Sequence, residues 1–336
     1  MIKIQGKFRA GITSIGHYLP ERIITNQELS EFLDTSNEWI VSRTGIHQRH
    51  RAHANEATSD MAVHAARNAL KDIAAGSIEA VIVATTTPDY RCPATAPLIA
   101  AQLGLATVPA FDVSAVCSGF LYALATANAY VTSGMMQRIL VIAAEKFSDL
   151  IDPTDRKTAC LFGDGAAAVV VSQVDETTPG AIHAMNLHSD GRKADFIIVE
   201  GGGTHRPWIS ELTASQRFLQ MKGQEVFTAA VQGMTDSIKH VVENVGWDIE
   251  DVDVVIAHQA NKRILDAIAR ELSIDPEKFV LHLDRVGNTA GASIPLAMAA
   301  NQNSISTSSK VLLTAYGAGT TWGSVALTWP DFGISN

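Results

Sequence analysis

Cysteine is scarce in this 336-residue chain: Cys92, Cys117 and Cys160 are all there is, an odd number without paired spacing. That excludes a disulfide framework and points to a reducing compartment, the cytoplasm. An excess of positive charge is also missing. At a net charge of −9 the chain has no general attraction for nucleic acid, and an acidic ligand would need a local basic patch. Residues 1–20 carry Lys3, Lys7 and Arg9 but no continuous apolar core, so no cleaved signal is expected and the first strand is placed there. Low-complexity tracts and long linkers are absent as well. From Val113 to Gln137 there is not one charged residue, a length that could span a bilayer. Ser114, Ser118, Asn128, Thr132 and Ser133 argue against a membrane. A charge-free helix interrupted by small polar groups is expected in the centre of a large soluble protein instead.

What is present is apolar and rhythmic. A hydrophobic content of 46% suffices for one large or two fused α/β domains. Strand-like runs at 80–85, 108–113, 139–143, 167–172, 254–257, 279–283, 311–315 and 324–328 alternate with helical patterns. Among these, 58–75 has Thr58, Ser59 or Asp60 as its cap, and 226–245 ends at Gly246. Ala80-Val81-Ile82-Val83-Ala84 matches Asp253-Val254-Val255-Ile256-Ala257, and Arg138-Ile139-Leu140-Val141 matches Lys310-Val311-Leu312-Leu313 at nearly the same offset, about half the chain. Two similar halves, 1–175 and 176–336, are expected to pack on one another with the active site between them. The polar segment 175–180 is the candidate junction, a β-hairpin insertion being the other reading.

Three chemical groups fall where strands end, the positions at which α/β sheets place ligands. Cys117 stands in Val116-Cys117-Ser118-Gly119-Phe120, at the start of an expected helix whose amino end would lower the thiol pKa. His258 follows an apolar strand and begins His258-Gln259-Ala260-Asn261. Asn288 lies in Gly287-Asn288-Thr289-Ala290-Gly291-Ala292-Ser293. Taken singly, a cysteine or a histidine is more often a core residue. Together, a thiol and two neutral hydrogen-bond donors without a carboxylate suit acyl transfer and the holding of a developing enolate oxygen.

These segments, with Tyr316-Gly317-Ala318-Gly319-Thr320-Thr321-Trp322-Gly323, Asp34-Thr35-Ser36-Asn37-Glu38-Trp39-Ile40, Arg43-Thr44-Gly45-Ile46, Ala84-Thr85-Thr86-Thr87-Pro88-Asp89-Tyr90 and Leu161-Phe162-Gly163-Asp164-Gly165-Ala166, resemble β-ketoacyl-acyl-carrier-protein synthase III from about Gly11 to Trp329. The resemblance implies a thiolase-like α/β fold, duplicated βαβαβαββ halves forming a five-layered αβαβα sandwich. It also implies a homodimer, acyl-CoA and malonyl-acyl-carrier protein as substrates, no permanently bound cofactor and no metal. Fatty acid synthesis would be initiated by a ping-pong decarboxylative condensation. Cys117 would carry the acyl group, His258 and Asn288 would hold the malonyl thioester carbonyl, and the backbone N–H groups of Cys117 and Ala318 would form the oxyanion hole. Trp39, Arg43 and Arg156 would bind the nucleotide end of CoA, while Asn261 and Gln224 would line its pantetheine tunnel. Lys262, Arg263 and Arg270 would dock the acidic carrier protein. Cys92 stands where several acetyl-preferring members carry phenylalanine, which implies a deeper acyl pocket.

Other readings have weaker support. Gly163-Asp164-Gly165-Ala166-Ala167-Ala168 fits a relaxed dinucleotide pattern, but a valine strand follows where a helix is required. His47, His50 and His53 lie beside Arg49 and Arg51, which would repel a cation, and no H-E-x-x-H motif occurs. Cys…His…Asn order also occurs in papain-like proteases, yet no C-G-S-C-W string is present. A starter-unit synthase or acyltransferase of the same fold, serving secondary metabolism, is the nearer rival.

Overall fold

The structure, a computed structural model, describes residues 8–105, 107–208 and 211–333. Lys3 and Lys7 lie outside the described residues. Strands β1 (Arg9–Tyr18), β2 (Ala80–Ala84), β3 (Ala110–Val113), β4 (Arg138–Glu145) and β5 (Gly165–Val174) form one sheet in the order β1-β5-β4-β2-β3. There β2 runs parallel to β3 and β4, and β5 runs antiparallel to β4 and β1. Strands β6 (Ile182–Ser189), β7 (Val254–Ala257), β8 (Lys310–Gly317) and β9 (Thr321–Thr328) form the second in the order β7-β8-β9-β6, with β7 and β8 parallel and the other pairs antiparallel. The pairing scheme of the first sheet is thus repeated. Segment 175–180 carries the chain from the last strand of one sheet to the first strand of the other.

The repeat is incomplete at one edge. The strand expected at 279–283 is reduced to an isolated parallel bridge between Val255 and Phe279, with Val280 N–H on the Val255 carbonyl. A side chain from another segment accounts for it: the N–H groups of His282 and Leu283 are taken by Gln259 Oε1 at 2.8 and 3.1 Å, and Leu283 opens a short helical turn.

Seven helices fix the layers: α1 (Asn37–Thr44), α2 (Thr58–Ala69), α3 (Thr95–Gln102), α4 (Gly119–Thr132), α5 (Gly223–Val245), α6 (Lys262–Leu272) and α7 (Ser293–Ala300). The charge-free α4 and the equally apolar α7 lie between the two sheets. Helices α2 and α3 cover the outer face of the first sheet, and α5 and α6 that of the second, giving five layers. Phe120 and Leu124 of α4 are fully buried, and each such side chain contributes roughly 1.5–3 kcal/mol. Among the described residues no helix is long and apolar enough to cross a membrane. Helix α2 starts after Ala57, whose N–H is accepted by Asp60 at 2.8 Å, and ends six residues earlier than its pattern suggests. Helix α5 ends at Gly246, where φ of 73° favours glycine.

Candidate active site

Strand β3 delivers the chain to a 3-10 turn, Val116–Ser118, which runs into α4. Val116 holds φ at 47°, a left-handed conformation that costs a β-branched residue about 1–3 kcal/mol and persists only where neighbours enforce it. They do so here. Ser118 Oγ lies 2.8 Å from Ala115 O and 2.7 Å from Thr321 Oγ1, and Thr321 Oγ1 lies 3.1 Å from Ala318 O. Gly317 packs directly on the turn: a Cβ there would come within 2.9 Å of Ser118 N and 3.0 Å of both Ala115 O and Cys117 N. The hairpin of the second half therefore holds the Cys117 turn of the first.

The Cys117 thiol is buried, and its pKa is raised, chiefly by that burial and then by the Glu145 carboxylate, while its own backbone N–H pulls the other way. This corrects the expectation of a lowered pKa. Desolvation of the thiolate outweighs the backbone N–H at the turn, so the resting group is a thiol. Glu145, which the sequence reading missed, closes the apolar strand β4 and is fully buried. It accepts hydrogen bonds from Thr86 N–H (3.0 Å), Thr86 Oγ1 (3.2 Å) and Thr87 Oγ1 (3.1 Å). Burial raises its pKa to about 8 against the pull of these donors and of the Gly291 backbone. The available signal was a carboxylate ending a strand whose residues 139–144 are all apolar.

His258 leaves β7 with its N–H on Thr314 O at 2.8 Å, and its Nδ1 lies 2.7 Å from Ser293 Oγ. Burial takes its pKa down to about 3, so the imidazole is neutral. Gln259 is satisfied on every side: Nε2 donates to Ala257 O and Val280 O, and Oε1 accepts from His282 and Leu283 N–H. It pins the backbone beside the histidine. Asn288 is held by its N–H on Leu161 O (2.8 Å) and by Gly163 N–H on its carbonyl (3.0 Å). Its Oδ1 accepts from Ala290 N–H at 2.9 Å, which leaves the amide nitrogen as its donor end.

Cys117, His258 and Asn288 line one narrow cavity of ≈ 50 Å³, whose walls include Phe147, Phe162 and Tyr316. Beside it lies a groove of ≈ 970 Å³ walled by Thr86 to Arg91, Trp208, Ala318 and Gly319, and Val116, Phe147 and Ile197 belong to both. Ala318 is not among the residues of positive φ, so its N–H keeps the ordinary orientation.

The other expected residues divide. The Trp39 ring, on α1, has the Arg43 guanidinium 4.7 Å and the Arg156 guanidinium 5.2 Å from its centroid. Arg156 also donates to Asp34 O at 2.6 Å. Arg263 reaches Ser42 O at 3.2 Å, which joins the start of α6 to α1. Lys262 is paired with Asp266 at 2.7 Å, and Arg270 is exposed on the same helix. Asn261 caps α6, accepting Arg263 N–H at 2.9 Å, and Gln224 is exposed in the first turn of α5. Neither lines the narrow cavity, though their neighbours Ala260 and Val226 do. Cys92 is exposed and lines neither cavity of its own chain. His50 Nδ1 lies 2.6 Å from Pro20 O, and among the described residues no group of three or more His, Cys, Asp or Glu could hold a metal.

Residues 111–191 match the family model of 3-oxoacyl-[acyl-carrier-protein] synthase III, and residues 242–329 match that of its C-terminal part. The chain is 49% identical to β-ketoacyl-[acyl-carrier-protein] synthase III 3 of Streptomyces coelicolor, over 95% of this chain and 97% of that protein. The crystal structure of the synthase III of Pseudomonas aeruginosa superposes with a TM-score of 0.89 at 41% identity, covering 96% of this chain and 99% of that one. A priming β-ketosynthase from a polyketide pathway superposes at 0.90 with 30% identity, over 99% of each chain. The fold is thiolase-like, and relatedness along the whole length overturns the protease reading. With Cys117, a neutral His258 and Asn288 on one cavity, the chain belongs to the β-ketoacyl-acyl-carrier-protein synthase III family of acyltransferases.

Proposed function

We propose that the chain condenses an acyl-CoA primer with malonyl-acyl-carrier protein in two steps through one cysteine. Cys117 attacks the acyl-CoA thioester, its S–H proton passes to the departing CoA sulfur so that CoA leaves as the thiol, and the acyl group stays on the Cys117 sulfur, with the N–H groups of Cys117 and Ala318 facing the oxyanion. Malonyl-acyl-carrier protein then enters. His258 and Asn288 donate to its thioester carbonyl, CO₂ departs, and the carbanion attacks the acyl-cysteine, whose C–S bond breaks to give the β-ketoacyl product and a Cys117 thiolate that takes up a proton from solvent to restore the thiol. A neutral imidazole and an amide that never titrates are suited to that task, because each can donate without first losing or gaining a proton. The observation that carries this reading is the shared cavity of Cys117, His258 and Asn288. Release of CO₂ that depends on both acyl-CoA and Cys117 tests it; CO₂ release unaffected by Cys117→Ala would end it.

The rim of α1 and α6 supports the substrate assignments. The Trp39 ring, with the Arg43 and Arg156 guanidinium groups 4.7 and 5.2 Å from its centroid, offers aromatic surface with cations close by for the CoA nucleotide. Lys262, Arg263 and Arg270 on the neighbouring helix offer a basic dock for the carrier protein, and Asn261 and Gln224 flank the approach. The division into halves 1–175 and 176–336 follows the repeated pairing scheme. A homodimer is favoured by β3, an edge strand paired on one side only, beside the exposed Tyr90 and Cys92. In that assembly Cys92 would reach the partner's acyl pocket. A second reading, priming of a secondary-metabolic pathway, is favoured by the wide groove and by the small side chain at Cys92. The mass of the acyl group left on Cys117 after incubation with mixed acyl-CoAs separates the two. A cytoplasmic location and the lack of a bound cofactor accompany both readings.

A further inference from the structure

Ser293 supplies a polar group that the reaction as described does not use. It opens α7, is 1% exposed, and its Oγ has two hydrogen-bond neighbours: Gln259 N–H at 3.3 Å and His258 Nδ1 at 2.7 Å. A hydroxyl carries one proton. On the Gln259 side the oxygen must accept, because an amide N–H only donates, and the four side-chain bonds of Gln259 hold that N–H in place. The hydroxyl proton then has one destination, Nδ1, and Nδ1 accepts only when the ring proton sits on Nε2.

We propose that Ser293 is a positioning residue that locks His258 as the neutral Nε2–H tautomer, so that the donor of the ring faces the cavity shared with Cys117 and Asn288. The opposite tautomer would turn a lone pair toward the cavity and leave the serine proton without an acceptor in a buried place. Such a ring could remove a proton but could not stabilise an enolate oxygen. Ser293 thereby selects between two chemistries of one imidazole. The effect matters to the condensing step and not to acylation of Cys117, and to that extent it rests on the role proposed for His258.

The test has two arms. ¹⁵N NMR of histidine-labelled enzyme, with His258→Ala identifying the signal, reads the tautomer directly. The wild type is expected to show Nε2–H, Ser293→Thr to retain it, and Ser293→Ala to lose it. A wild-type Nδ1–H signal, or an unchanged tautomer in Ser293→Ala, overturns the proposal. The wild-type spectrum decides even if the alanine variant does not fold. In the second arm, kcat for condensation is expected to fall about 10-fold or more in Ser293→Ala, the scale of losing one preorganised donor, with the rate of Cys117 acylation unchanged and Ser293→Thr restoring turnover. A changed tautomer with full condensation would overturn the function assigned to His258 while leaving the tautomer assignment standing.

Discussion

Val116 and Ala290 hold the same left-handed backbone, φ 47° and 46°, at matching turns of the two halves. Each starts a 3-10 segment, Val116–Ser118 or Ala290–Ala292, that feeds a central helix. One copy carries Cys117. In the other, Gly291 takes the place of Cys117 and its backbone bonds Glu145. The first expected outcome concerns this glycine. A Cβ at Gly291 would lie 3.0 Å from Val116 O and 3.1 Å from Glu145 Oε1, and overpacking of this kind costs about 1–3 kcal/mol. Gly291→Ala should lower the urea midpoint and slow acylation of Cys117. An unchanged midpoint would mean that the two turns are not packed as described.

Glu145 should give the protein an inverse dependence of stability on pH. Its carboxyl has a pKa of about 8 in the folded protein against 4.5 ordinarily. Between those values the folded state binds the extra proton, so this contribution is full below 4.5 and declines as pH rises toward 8. Glu145→Gln should flatten that slope when urea midpoints are compared across the window. Because the carboxylate raises the Cys117 pKa, the same variant should also react faster with iodoacetamide above pH 8.

The linkage of His258 has the opposite sign. Its pKa is lowered to about 3 from 6.5, so the unfolded chain binds the extra proton in between. Its contribution to stability is present above 6.5 and lost as pH falls toward 3. A non-titrating His258→Gln should show a shallower acid limb in thermal unfolding. For the wild type, condensation rates should show no ionisation near 6.5 assignable to this ring. A clear inflection there, absent from a step that does not use His258, would contradict a buried neutral imidazole.

Trp39→Ala removes a ring flanked by two guanidinium groups. Loss of about 1–2 kcal/mol of stacking and cation–π contact corresponds to a rise of roughly 5- to 30-fold in KM for acyl-CoA. With acyl-pantetheine, which lacks the nucleotide, the variant and the wild type should differ little. Equal loss with both substrates would place the ring in folding and not in CoA binding.

Cys92→Phe should narrow the choice of primer. The wild type should turn over octanoyl-CoA well relative to acetyl-CoA, and the larger side chain should shift the ratio toward acetyl. Strong acetyl preference in the wild type would remove Cys92 as a determinant of acyl length.

That Cys117, His258 and Asn288 share a cavity was legible in the sequence because Cys117 and His258 each follow a strand and all three sit in strings specific to the family. The duplication was legible for a similar reason, since strand cores repeat their residue types. Glu145 and Ser293 were not legible. Their significance lies in contacts with Thr86, Thr87 and Gly291, or with His258 and Gln259, that exist only once distant segments meet. The direction of the Cys117 pKa was misread on the same account: a helix start is visible in a string of letters, whereas the depth of its burial depends on all five layers. The strand expected at 279–283 failed because a glutamine side chain from another segment took its N–H groups.

The helix that begins at Gly119 touches strands of both sheets, and Gly317 presses on the turn that presents the sulfur. Neither sheet can therefore close its inner face by itself. An amino-terminal fragment would expose an uncharged helix to water, so it should aggregate or stay bound to a chaperone until synthesis nears its end. On the ribosome, reactivity at Cys117 cannot be assembled before the final hairpin, Lys310–Gly317 with Thr321–Thr328, has emerged.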